Sequence, residues 1–292
     1  MKKFNIILLV IILSFVVSMA SLSIFNSKEK IHHTKQSESA FDRVMRSKTL
    51  RCGYVVYAPT IIKDPNTGKM SGIMHDVIED IAARLEIKVD WVEETTWANY
   101  MEGLNKRYDI VCAAAWANNL GEWPHSETVG PLFYSGINIW VRKTDTRFNN
   151  NITAINDSKI TIASIDGTIP GRIAATDFPK AKILSLPQSG DHSLNLLNVI
   201  NHKADVTMVE NYTGNAFAAN NPDSLKNITQ NNPVRVYPNV FLVGKGEYKL
   251  QSMLQMVFND MRNNGEVDKI LSRYEEYPNS FYRVAKPYQY GN

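Results

Sequence analysis

Across residues 50–143 the chain alternates short apolar β patterns with one-sided helical spacing, and no other feature restricts its fold as strongly. Leu50-Arg51-Cys52-Gly53-Tyr54-Val55-Val56 reads as a strand. It breaks at Tyr57-Ala58-Pro59, where proline removes a ladder donor. A turn follows over residues 64–69. Val77, Ile78, Ile81, Ala82 and Leu85 then recur as on one face of a helix, predicted over 76–85. Asp76 is placed to cap its free N–H groups. Lys88-Val89-Asp90-Trp91-Val92 and Asp109-Ile110-Val111-Cys112-Ala113-Ala114 are two more strands. Strands separated by helices pair in parallel, and such sheets bind ligands beyond the carboxyl ends of their strands. Here those ends carry Tyr57, Trp97 and Trp116, which predicts a small-molecule site lined by aromatic rings.

The same logic recurs downstream without a close sequence repeat. Strands are predicted over 137–142, 159–164, 182–186 and 204–210, with Asp166-Gly167-Thr168-Ile169-Pro170-Gly171 opening a helix and another helix over 193–202. Residues 235–243 read as a strand pair leading back. A helix follows with Leu250, Leu254, Val257, Phe258 and Met261 on one face, ended by Gly265, and a last helix spans 267–274. The tail holds Tyr277, Phe281, Tyr282, Tyr288 and Tyr290; it either wraps the first half or meets a partner.

A chain of 292 residues allows one large domain or two modest ones. A formal net charge of +3 is too small for a dedicated nucleic-acid binder, and the basic stretch around Lys28 to Lys35 reads as a solvated linker. Met1-Lys2-Lys3 precedes an apolar run that reaches Phe25. Two readings stay open: a secretory signal cleaved after Ala20, or an uncleaved anchor, since a span needs roughly 20 apolar residues. Either one exports the remainder. The expected organisation is signal or anchor over 1–25, linker over 26–40, a first lobe over 41–135 plus 245–292, and a second lobe over 136–244. Cys52 and Cys112 are expected to be buried thiols, although an exported protein could oxidise them. No Cys/His spacing fits a metal site, and no cofactor is expected.

The order of these pieces resembles the family 3 periplasmic solute-binding proteins, the amino-acid receptors of ABC transporters. The resemblance is carried by Tyr57-Ala58-Pro59, the turn from Asp64 to Lys69 with Gly72, Asp76, Trp97 with Gly103-Leu104, Tyr108-Asp109-Ile110-Val111, and Pro131-Leu132-Phe133-Tyr134-Ser135. It implies a two-lobed type II periplasmic-binding-protein-like α/β fold, two doubly wound lobes joined by a hinge near Ser135 and Gly244. The ligand would lie in the cleft between them.

The resemblance also implies a ligand set. Tyr57 and Trp97, the latter opening a helix, would wall the ligand. The loop from Ala113 to Asn119, Ala114 among it, would face its carboxylate, with Trp116 either stacking on the ligand or packing at the hinge. Gly167 and Thr168 would present N–H groups at a helix start, and Glu210 would take the amine. The family's carboxylate-binding arginine is replaced here, near Gly121; Arg172 and Arg142 are candidate substitutes. No catalytic constellation is read. The expected function is a monomeric, periplasmic or extracytoplasmic receptor that delivers a small amine-bearing ligand to an ABC transporter permease. The alternatives are a dehydratase-like enzyme of the same fold or a tethered interaction protein with a degenerate pocket.

Overall fold

The computed structural model describes residues 38–116, 124–187 and 192–284, together with Ser14 and residues 17–19. The chain divides into two compact units, Met1–Glu38 and Ser39–Asn292, and the elements below belong to the second. Most of the expected leader and of the expected linker lies outside the described residues, as do Gly121, Tyr288 and Tyr290. Among the described residues no helix is long and apolar enough to cross a membrane.

The fold starts with α1 (Ala40–Ser47) and β1 (Thr49–Tyr54). A small hairpin, β2 (Ile62–Lys63) and β3 (Met70–Ser71), leads to α2 (Ile73–Arg84) and β4 (Lys88–Glu94). β5 (Ile110–Trp116) precedes β6 (Ser126–Arg142) and a 3-10 turn over Ile152–Ile155. Then come β7 (Thr161–Ile165), α3 (Ile169–Asp177), β8 (Lys182–Leu186), α4 (His192–Ile200) and β9 (Val206–Glu210). The chain ends with α5 (Asn211–Asn220), β10 (Leu225–Asn227), β11 (Arg235–Gly244), α6 (Tyr248–Asn263) and α7 (Glu266–Tyr274).

The main sheet runs in the order β4-β1-β5-β11-β6-β9-β7-β8, with β10 paired to β6. β4, β1 and β5 are parallel, as are β8, β7 and β9. β6 and β11 are antiparallel to each other and join the two groups. β6 has 17 residues, about 55 Å of strand, so one element reaches through both halves. Each half has its own core. Leu50, Ile78, Ile110, Phe133, Phe241 and Phe258 belong to the first; Ile137, Ile139, Phe148, Ile162, Ile173 and Met208 belong to the second. β5 is buried on both faces: Ile110, Cys112 and Ala114 enter the first core, while Val111, Ala113 and Ala115 pack beneath the 97–104 turns. Burial on both sides explains why its sequence is an unbroken apolar run.

Several expectations are corrected. Residues 235–243 form one continuous strand, not a strand pair. Its far end, Phe241 and Val243, packs in the first core. Cys52 and Cys112 are joined in a disulfide with Cα atoms 5.6 Å apart. Cys52 lies opposite Ile110 in the parallel pairing, so its partner sits two residues further along the neighbouring strand, within bridging reach. Asp76 does not cap its helix. Its carboxylate accepts from the Tyr274 hydroxyl at 2.9 Å and from Arg273 at 3.0 Å, and that hydroxyl in turn accepts from Gly72 N at 3.0 Å. The last helix thereby fastens the start of α2. The described part of the tail packs on the first half, as one of the two readings expected: Phe281 enters its core and Arg283 pairs with Asp268 at 2.8 Å, and the same segment also touches the crossing strands and the second half. Tyr282 exchanges two 2.8 Å backbone hydrogen bonds with Tyr134, and the Pro278 carbonyl accepts from Asn211 at 3.0 Å.

Candidate functional site

A cavity of about 190 Å³ opens between the two halves. From the first half it is lined by Tyr57, Trp97, Ala114 and Trp116; from the second, by Gly167, Thr168 and Glu210. All seven residues marked out in the sequence therefore face one space. Each sits where a strand ends. Tyr57 follows β1, and its backbone is held in a tight loop by bonds to Ile61 at 2.9 and 3.0 Å. Trp116 ends β5 and Glu210 ends β9. Trp97 does not open a helix; it stands in a run of turns over 97–103. Tyr108 fixes that run. Its hydroxyl donates to the Tyr100 carbonyl at 2.6 Å and accepts from Gly103 N at 3.2 Å. A Cβ at Gly103 would lie 2.2 Å from the Tyr108 ring, so only glycine allows the approach.

Rings form two groups. Tyr57 meets Trp97 edge-on at 5.9 Å, and Trp97 meets Tyr100 at 5.7 Å. Trp116 instead stacks on Tyr237 of β11, 4.9 Å apart and 13° from parallel. Such contacts hold the rings in fixed orientations as walls.

Glu210 is the end point of a directed hydrogen-bond chain. The Tyr57 hydroxyl donates to its Oε2 at 2.7 Å. The Thr213 hydroxyl shares a further hydrogen bond with Tyr57 Oη at 2.9 Å. On the other side the Ser135 hydroxyl also donates to the carboxylate. Ser135 Oγ accepts from Asn239 Nδ2 at 3.0 Å, and Asn239 Oδ1 accepts from Trp116 Nε1 at 3.1 Å. Burial pushes the Glu210 carboxyl above its ordinary range, and the hydroxyls of Ser135 and Tyr57 only partly offset this. A cation brought beside it would supply the missing counter-charge.

Thr168 caps α3: its Oγ accepts from Gly171 N at 3.4 Å and donates to the Ile165 carbonyl at 2.7 Å. Gly167 takes φ +72°, which favours glycine, and so turns the chain into the helix. Arg172, in the first turn of α3, also lines the cavity. Arg142 does not. Its guanidinium donates to the carbonyls of Val199 and Ala204 at 2.9 and 2.7 Å and pairs with Asp205, so it is structural. Asp166 lines the cavity and accepts from the Ser185 hydroxyl. Among the described residues no group of His, Cys, Asp and Glu side chains could hold a metal ion.

Sequence reading missed Ser135 and Asn239 as site residues, as well as Thr213, Tyr237 and His192. A signal existed for Asn239. It is an amide in an otherwise apolar strand, and it is buried, so it must have partners.

Over 125 residues the chain is 35% identical to a Haemophilus influenzae protein named "Probable amino-acid ABC transporter-binding protein", covering 40% of this chain and 44% of that protein. Over 67 residues it is 40% identical to the L-cystine-binding protein TcyA of Bacillus subtilis, covering 23% of each. The chain thus spans less than half the length of these curated relatives. The fold matches the crystal structure of the ancestral amino acid-binding protein AncCDT-1, a precursor of cyclohexadienyl dehydratase. The TM-score is 0.68 at 23% identity, over 81% of this chain and 99% of that one. Residues 50–276 match the family described as bacterial extracellular solute-binding proteins, family 3; with most of its length inside that match, the chain belongs to this family.

Proposed function

We propose that this protein is an extracytoplasmic receptor that closes on a small, amine-bearing, amino-acid-like solute and delivers it to an ABC transporter permease. The observation that carries this reading is Glu210, a shielded acid at the centre of a cleft walled by Tyr57, Trp97 and Trp116. A protonated amine beside Glu210 would form a charge-assisted hydrogen bond, and the rings would cover its apolar part. Ala114, Gly167 and Thr168 would complete the contacts. The lobes would comprise residues 41–135 plus 238–292 and residues 136–237, with β6 crossing at Ser135 and β11 crossing where Tyr237 faces it rather than near Gly244, since Phe241 and Val243 pack in the first core. A ligand touching both lobes stabilises the closed arrangement. The protein would work as a monomer, without catalysis, exported by its N-terminal segment as a cleaved signal or an anchor. Mass spectrometry of the mature protein separates the last two.

A thermal-shift screen against the L-amino acids, L-cystine, diamines and dicarboxylates tests the reading. Ligand at about 100 times its Kd should add roughly 2.7 kcal/mol to the folded state. A shift with an amine-bearing compound that is recovered unchanged supports the receptor. Chemical conversion of that compound would make the protein an enzyme of this fold. No shift with any compound would favour a degenerate pocket.

A further inference from the structure

The ionic side chains of the cleft are unequally employed. Asp166 accepts from Ser185, and Glu210 accepts from Tyr57 and Ser135. Arg172 faces the same cavity, yet its guanidinium makes no hydrogen bond or ion pair with any described residue. It contrasts with Arg142 and Arg147, which are both committed to Asp145 and Asp205. Arg172 is exposed, and its backbone is fixed by a 3.1 Å bond from its N–H to the Thr168 carbonyl.

Its position within the cleft is informative. Tyr237 stacks on Trp116, and burial raises the Tyr237 hydroxyl while the charges of Arg235 and Arg172 pull the other way. Arg235 is already paired with Asp177 at 2.9 Å. Arg172 therefore acts electrostatically on Tyr237 and shares the cavity lining with Trp116, while the acid is held by Tyr57. The two do not pair with each other.

We propose that Arg172 is a specificity-determining residue: it takes the acidic group of the solute while Glu210 takes the amine, so the cleft selects compounds carrying both charges. This rests on the receptor reading above. A guanidinium offers two parallel N–H donors to a carboxylate, a geometry that lysine cannot reproduce. Located in the first turn of α3, it acts with the positive end of the helix. Closure of the lobes would take water from this pair and strengthen it.

The test compares amino acids with their decarboxylated amines: L-lysine with cadaverine, L-arginine with agmatine, and L-cystine with cystamine, then any other amino acid that binds with its own amine. Affinities are measured by calorimetry on the wild-type protein, Arg172→Gln and Arg172→Lys. In Arg172→Gln the amino acid should lose about 30-fold or more in affinity, while its amine changes by less than about threefold. Arg172→Lys should fall between. Retained amine binding shows that the variant is folded. Unchanged amino-acid affinity in Arg172→Gln, or an equal loss for acid and amine, overturns the role of Arg172 and leaves the receptor reading standing. If no amino acid binds the wild-type protein, the receptor reading fails and the inference fails with it.

Discussion

The Tyr57 hydroxyl reaches across the cleft from the first half of the sheet to Glu210 in the second, at 2.7 Å. The contact joins an aromatic wall to the acid it flanks. It also ties the first half of the sheet to the second beside the crossing strands β6 and β11. The hydroxyl favours the carboxylate form of Glu210, whereas burial disfavours it. The balance between these effects makes the cleft sensitive to pH and to the charge of its ligand.

Affinity for an amine-bearing ligand should rise with pH. In the folded, unliganded protein the Glu210 carboxyl holds its proton above the ordinary carboxylate range. Binding an ammonium requires that proton to leave, so binding weakens below the raised folded pKa. The unliganded fold shows the opposite trend. Between the unfolded and the raised folded pKa the native state binds more protons, so stability declines as pH rises through that window. Glu210→Gln should flatten both trends. Calorimetry in buffers of different ionisation enthalpy should detect proton release on binding; its absence would contradict the assignment.

Tyr57→Phe removes a donor to Glu210 and the hydroxyl that Thr213 bonds. Hydrogen bonds to charged groups contribute about 1.5–3 kcal/mol, so the midpoint of the pH–affinity curve should move upward by about one unit or more. A titration series on the variant reads this directly. An unmoved midpoint would mean that the hydroxyl does not tune the acid.

Asn239→Leu should destabilise the fold. The amide links Trp116 to Ser135 across the two crossing strands. Leucine would leave the indole N–H without its partner, at about 1–3 kcal/mol. Urea denaturation monitored by tryptophan fluorescence measures it. A loss below about 0.5 kcal/mol would show that water replaces the amide freely.

Joint replacement of Cys52 and Cys112 by alanine tests the disulfide. The bridge spans 60 residues of sequence, and loop-closure entropy for such a span is about 4 kcal/mol at most. The Tm should fall by roughly 10 °C. Equal Tm values with and without reductant would indicate that the two sulfurs are not bonded in the native protein.

Strand ends and helix starts were legible because they rest on local rules. Pro59 breaks a ladder, Gly167 turns a chain, and the spacing of Val77, Ile78, Ile81 and Leu85 fixes a helical face. Those rules placed Tyr57 and Trp116 at strand ends, while the ligand roles of Thr168 and Glu210 came from the resemblance; all four line the cleft. The missed features depend on contacts distant in sequence. Ser135 and Asn239 become site residues only when β6 and β11 lie side by side, 104 positions apart in sequence. Asp76 looks like a cap until Tyr274, 198 positions away, claims its carboxylate. The helix α5 went unread because Asn211-Tyr212-Thr213-Gly214 carries no apolar stripe; it is held by its neighbours, with Gly214 admitting the Trp140 ring.

The arrangement of β11, α6 and α7 sets an order of assembly. Elements α3 to α5 and β7 to β9 form one uninterrupted stretch, so their core can consolidate as soon as that stretch has been delivered. The other half stays open until Leu250, Phe258 and Ile270 arrive near the end of the chain. During vectorial synthesis or export, the half built on β7 to β9 therefore has its elements in hand before the half that α6 and α7 complete.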